Sequence, residues 1–166
     1  MSLREWGKLT WEEARDRDLA RRDAILPVGA MEAHGPHLPL ATDVIIAEAM
    51  ARAGGERLAE RGFVPLLLPS LAYTAAPFAS AFPGTLSVAP ETATSLLLDL
   101  ARALTARGVA ALAIANAHLD PAHLGSIAAA LAAAREHDCL PVVFPDLTRK
   151  PWAPRLGEEF RTGACH

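Results

Sequence analysis

The sequence predicts an α/β protein of three layers, α/β/α, built around a mostly parallel sheet. Short apolar runs of strand length alternate with longer segments of helical period. The runs are continuous rather than alternating in polarity, as in strands covered on both faces. Gly and Pro mark the junctions. With 166 residues, 51% of them hydrophobic, one domain over 1–166 with a full core is expected.

The elements follow in order. "DAILPV" (23–28) reads as a short buried strand. "VIIAEAMARAGGERLAERG" (44–62) has helical periodicity, with Asp43 as N-cap and Gly62 at its end. "FVPLLLP" (63–69) reads as a second strand, and a loop containing Tyr73, Phe78 and "FPGT" (82–85) follows. "PETATSLLLDLARALTARG" (90–108) is a helix, since Pro90 suits a first turn and Gly108 a stop. "VAALAIAN" (109–116) is a third strand, "PAHLGSIAAALAAAREH" (121–137) a third helix and "CLPVVFP" (139–145) a fourth strand. The polar, Pro-containing remainder (146–166) reads as loop, and 151–166 as a cover over a site. The order β-α-β-α-β-α-β places candidate sites in the loops beyond the carboxyl ends of the strands.

Bulk properties exclude several classes. Net charge is −3 with no basic run, which argues against nucleic acid or an anionic membrane surface as partner. No apolar run reaches the roughly 18 residues of a membrane span, and "MSLREWGKLTWEEARDRD" lacks a secretory apolar region. Two cysteines, Cys139 and Cys165, are too few for a disulfide framework; reduced thiols in a cytoplasm are expected, with no role in the chemistry.

The chemistry concentrates in "GAMEAHGPHLPLATD" (29–43) and "NAHLD" (116–120), each directly after a strand. Glu32 and His34 are spaced i, i+2, as are His118 and Asp120. In extended backbone such residues point the same way, so each pair offers a carboxylate and an imidazole to one crevice. Asp43, at the start of the next helix, is placed to bridge two ions. Mixed His and carboxylate ligands suit zinc, manganese or iron. Two such ions can activate a shared water and polarise a carbonyl. Each pair also has an ordinary reading: Glu32 and His34 as a loop pair, His118 as a hydrogen-bonded histidine, Asp120 as the N-cap of helix 121–137. Both pairs at strand ends, together with Asp43, give the metal reading equal weight. His37 and His123 read as structural, and His137 as a cation at a helix C-terminus.

"LPVGAMEAHGPHLPLATDVIIAEAMA" (26–51) closely resembles the opening signature of the creatininase (creatinine amidohydrolase) family. "FPGTLSV" (82–88), "NAHLDPAH" (116–123) and "GACH" (163–166) match further family segments in order, so the resemblance spans nearly the whole chain. It implies a three-layer fold, assembly as a homo-oligomer (a hexamer), and hydrolysis of a cyclic or linear amide C–N bond at a dinuclear metal centre. By position, Glu32 and His118 resemble ligands of one ion, His34 a ligand of the other, and Asp43 the bridging aspartate. Asp120 stands where creatininase has a glutamate ligand to the second ion. "LDP" replaces the Gly-Gly-Asn run that many relatives carry after this histidine, and Ala79 stands where a histidine often precedes "FPGT"; both place the chain in a side branch.

His166 matches the family's catalytic histidine, the proton donor to the leaving nitrogen. The Ala-Gly-x-x-Glu-Thr that follows it in relatives is not present after it, so the chain is expected to lack the family's C-terminal part and to turn over poorly. Trp152 is a candidate to face a flat substrate ring. The expected function is metal-dependent hydrolysis of a small creatinine-like amide. A non-catalytic assembling relative, or a deformylase or peptidase of the same family, are the alternatives.

Overall fold

The computed structural model of the chain describes residues 3–15, 19 and 22–149. Five strands form one sheet: β1 (Arg4–Glu5), β2 (Asp23–Val28), β3 (Leu66–Leu67), β4 (Ala111–Asn116) and β5 (Val142–Val143), in the order β1-β3-β2-β4-β5. Every pairing among them is parallel. Between the strands run α1 (Trp11–Arg15), α2 (Thr42–Glu60), α3 (Pro90–Ala106) and α4 (Pro121–Glu136), with a short 3-10 turn at Trp6–Lys8.

Alternate residues of the central strands divide the core in two. Ala24, Leu26, Leu112 and Ile114 pack with Leu97, Ala101 and Leu104 of α3 and Ile127, Ala130 and Ala134 of α4. Ile25 and Leu67 pack with Ala51 of α2, and Ala113 and Ala115 join that side. Helices therefore cover both faces, giving the three layers. On α2 the buried positions are Asp43 and then the small residues Ala47, Ala51, Gly55 and Ala59, each four apart. Small side chains there let the helix lie close to the sheet, and a Cβ on Gly55 would come within 2.6 Å of Leu3 Cδ1.

Two expected strands shrink for a common reason. The run 63–69 is a strand only at Leu66–Leu67, and 139–145 only at Val142–Val143. Pro65 and Pro69 bracket the first, and Pro141 and Pro145 the second. None can donate to a ladder, so pairing stops between them. β1 had no apolar signal; it is a two-residue edge strand of Arg and Glu. Helix α2 begins two residues before the expected start. Its N-cap is Ala41, which makes no side-chain cap, and Asp43 sits in the first turn, not at the cap. None of the described helices is long and apolar enough to cross a membrane.

The connections fix where a site can form. From β2 the chain passes through α2 to β3 on one side; from β3 it returns through α3 to β4 on the other. The neighbouring strands β2 and β4 then send their following loops to opposite faces. A crevice opens between such loops, at the point where the strand order reverses.

Candidate metal centre

Strands β2 and β4 end in register, with Val28 paired to Asn116. Ala117 N–H donates to the Val28 carbonyl (3.1 Å) and closes the ladder. Beyond this point the two ligand-rich loops diverge.

The first loop crosses from β2 to α2 and has no regular structure, so its backbone is held from outside. Glu32 N–H donates to Leu40 O (3.0 Å), Leu86 N–H to Met31 O (2.8 Å), and Ala33 N–H to Thr85 Oγ1 (3.0 Å). The "FPGT" segment is thus a buttress for the ligand loop. Gly84, at φ 92°, accepts the Leu40 side chain where any Cβ would clash at 2.6 Å. Gly29 lets α2 approach, since a Cβ there would lie 2.5 Å from Val44 N and 2.6 Å from the Asp43 carbonyl carbon.

Glu32, Asp43 and His118 come together, buried, with ligand atoms all within 4.8 Å of one another. His118 Nδ1 lies 3.1 Å from Glu32 Oε1 and 3.0 Å from Asp43 Oδ2. Its Nε2 is 2.9 Å from the Ala75 carbonyl, an acceptor only, which assigns the proton to Nε2. In the neutral ring the Nδ1 lone pair therefore faces two carboxylates, and Asp43 Oδ2 is buried without a hydrogen bond. Three donor atoms converge on a space that calls for positive charge. Without a metal, a second proton on the ring supplies it: burial pulls the His118 pKa down, but hydrogen bonds to Asp43 and then Glu32 outweigh burial and raise it to about 10.

His34 joins the rim of this group. Its Nε2 lies 3.0 Å from Asp43 Oδ1 and 3.8 Å from Glu32 Oε1, and its Nδ1 is 3.1 Å from Glu32 O. Both oxygens of Asp43 thus face an imidazole, one from each loop.

Asp120 is buried and is not one of the three grouped residues. Oδ1 accepts from Ala122 N–H (2.8 Å) as the N-cap of α4, and Oδ2 accepts from Phe78 N–H (3.1 Å). The capping reading of Asp120 is the one its contacts show. His123, fully buried, lies with its ring 5.0 Å from that of His118, and its Nε2 is 3.0 Å from Asn116 Oδ1. Burial, then repulsion by His118, lower its pKa to about 3, so it stays neutral. It is not one of the three grouped residues. His37 is exposed and outside the cluster. Trp152, His166 and the proposed cover 151–166 lie outside the described residues.

Asn116 was not anticipated. Its Nδ2 donates to His118 O (2.6 Å), its Oδ1 accepts from His118 N (3.2 Å), and together they staple the turn carrying His118. A lone polar residue closing an apolar strand was the available signal. Ala75 O could not be read from sequence, because every residue has a carbonyl.

A family model described as creatininase, creatinine amidohydrolase, matches residues 7–166. A creatinine amidohydrolase of Pseudomonas putida is 33% identical over 121 residues, covering 69% of this chain and 44% of that protein. A mycofactocin precursor peptide peptidase of Mycobacterium ulcerans (strain Agy99) is 42% identical over 84 residues, covering 47% of this chain and 33% of the relative. A crystal structure of creatinine amidohydrolase (creatininase) superimposes with a TM-score of 0.71 at 30% identity, over 92% of this chain and 62% of the other. The chain therefore spans less than two thirds of the length of each.

Proposed function

The chain belongs to the creatininase family, and from there we propose that it is a metal-dependent amidohydrolase, acting on the C–N bond of a small cyclic or linear amide of creatinine type. The observation that carries this is the placement of His118: one nitrogen fixed by Ala75 O, the other aimed between Glu32 and Asp43. A carbonyl holding the far nitrogen of a ligating histidine is the usual outer support of a metal site. The donor set of two carboxylates and an imidazole suits zinc or manganese, with iron also compatible.

Glu32, Asp43 and His118 hold one divalent ion in this reading. Asp43 Oδ1 and His34 open toward a second, with Asp120 as the further carboxylate the resemblance supplies. Ions so held lower the pKa of a bound water and polarise a carbonyl. The residues' own contribution is to fix ligand directions and limit water around the ligands, since Glu32, Asp43 and His118 are each buried. On the resemblance, His166 is assigned the proton delivered to the leaving nitrogen; Trp152, an aromatic residue in the Pro-containing segment 151–166, is assigned a face for a flat ring, the alternative being a tryptophan packed on the sheet. Assembly as a hexamer and a cytoplasmic location belong to the same proposal. Ile45 and Ile46, about half exposed on α2, offer apolar surface for assembly.

A second reading, hydrolysis of a peptide bond, is favoured by one observation: identity to the peptide peptidase is 42% over its 84 matched residues, beside 33% to the amidohydrolase over a longer 121. The test is to strip the protein with chelator, reload it with zinc or manganese, and assay creatinine, a formamide and a short peptide. Retained metal is expected, with at most slow hydrolysis of creatinine or the formamide. Cleavage of the peptide alone would select the second reading, and absence of metal uptake would overturn both.

A further inference from the structure

We propose that His123 is a positioning residue of the metal centre: from the first turn of α4 it fixes the side chain of Asn116, and through Asn116 the backbone that carries His118. The inference rests on the reading of Glu32, Asp43 and His118 as ligands.

Asn116, His118 and His123 are all buried, His123 completely. The direction of each bond among them is determined. His118 O can only accept, so the Asn116 atom 2.6 Å from it is Nδ2. The other amide atom is then Oδ1, which accepts from His118 N–H at 3.2 Å. Oδ1 cannot donate, so His123 carries its proton on Nε2 and donates it to Oδ1 at 3.0 Å. In the neutral ring Nδ1 is left as an acceptor, and among the described residues nothing donates to it.

That unpaired nitrogen separates two roles for the ring. As packing alone an imidazole is a poor filler, because a buried acceptor without a partner is destabilising. A leucine would fill a similar volume without that penalty. What leucine cannot supply is the Nε2–H, and that group goes to Asn116. The other two bonds of the Asn116 amide run to His118, two residues along, so they move with the turn. The bond from His123 ties the amide to a separate element, the first turn of α4. The two imidazole rings also lie 5.0 Å apart between centroids, tilted by 38°, so His123 limits movement of the His118 ring on one side while Ala75 O holds its Nε2. Held in this way, His118 Nδ1 stays between Glu32 and Asp43.

The test compares His123→Leu, His123→Gln and His123→Asn with the unmodified protein, each stripped with chelator and titrated with Zn²⁺ and with Co²⁺. Glutamine can bring an amide N–H to the place of Nε2; asparagine, one carbon shorter, cannot. Zn²⁺ affinity should fall about tenfold in His123→Leu and His123→Asn, the lower end of the loss for outer partners of a ligating histidine, since His123 acts through an intermediary. His123→Gln should restore it. The absorption bands of bound Co²⁺ should shift in the leucine and asparagine variants and match the unmodified protein in His123→Gln. Denaturation of the metal-free proteins separates positioning from folding: His123→Leu should be about as stable as the unmodified chain, since it loses the unpaired nitrogen together with the bond. If His123→Leu does not fold, the glutamine and asparagine variants decide between the two roles. Unchanged affinity without the N–H, or affinity that follows metal-free stability across the variants whether or not the N–H is present, would overturn the inference and leave the proposed function standing. Absence of metal uptake by the unmodified protein would overturn that function, and the inference with it.

Discussion

The loops that leave β2 and β4 start from paired residues, carry the same i, i+2 pattern of a carboxylate and a histidine, and end differently. In the first, Glu32 and His34 both reach toward Asp43. In the second, His118 enters the cluster and Asp120 caps a helix. The difference lies in what holds each backbone. Loop 29–41 is long and buttressed from the 85–86 segment, so its side chains are left for the site. The turn 117–120 is short and runs straight into α4, so its last residue must satisfy orphan helix donors. Spacing places side chains on one side; the next element decides which of them are available.

Removing the residue on which both loops converge gives the largest effect. Asp43 meets His34 with one oxygen and His118 with the other. Asp43→Ala should abolish retained metal, exceeding the roughly 100-fold loss that follows removal of an outer hydrogen-bond partner. Elemental analysis of the dialysed variant checks this, and full metal content would end the idea of a shared ligand.

The second prediction attacks the first loop alone. In Gly29→Ala the new methyl meets backbone atoms of Asp43 and Val44, which cannot swing aside as a side chain end can. Overpacking of this kind costs about 3 kcal/mol, and it pushes the first turn of α2, with Asp43, off the crevice. Chemical denaturation should show the loss, and metal affinity should fall with it. An alanine variant of unchanged stability would mean that α2 is not seated by Gly29.

Much of this architecture is legible in the sequence, for physical reasons. The long helices and central strands announce themselves by period and by continuous apolar runs. Edge strands do not: two prolines cut each of the runs 63–69 and 139–145 down to a pair of residues, and β1 carries charged residues. The candidate ligands Glu32, Asp43 and His118 are legible because metal chemistry calls for those side chains at strand ends. The backbone partners that position them, Ala75 O and Phe78 N–H, leave no mark, since any residue supplies them. Nor does local spacing tell a capping Asp120 from a ligating one.

The third prediction separates His118 from its neighbour His123. Folded His118 has its pKa raised from 6.5 to about 10, so its stabilising proton is fully bound below about pH 6.5 and is lost as pH rises through 10. Metal-free protein should therefore lose stability between pH 7 and 10, by at most about 1.4 kcal/mol per pH unit. Metal replaces that proton, so loaded protein should show a flatter profile, and metal affinity should rise with pH over the same window. His118→Ala should also flatten the metal-free profile. His123, held neutral with its pKa near 3, contributes no slope in this window. Thermal unfolding across pH, with and without chelator, checks the set; a slope that survives His118→Ala would place the titrating group elsewhere.

The smallest effect tests the second loop. Asp120→Ala removes the cap of α4 and the acceptor for Phe78 N–H, leaving Glu32, Asp43 and His118 untouched. A lost N-cap costs about 1 kcal/mol. The Phe78 bond adds little, because that residue is largely exposed and water can replace the acceptor. Asp120→Asn should recover the cap, since asparagine also caps well, but can keep only one acceptor oxygen. The unmodified chain should therefore be the most stable, the Asp120→Asn variant close behind and the Asp120→Ala variant lowest. Uptake of the first metal should be equal in all three. If Asp120→Ala instead lost the first ion together with stability, the two loops would be equivalent partners in one site, and the distinction between a ligating His118 and a capping Asp120 would be wrong.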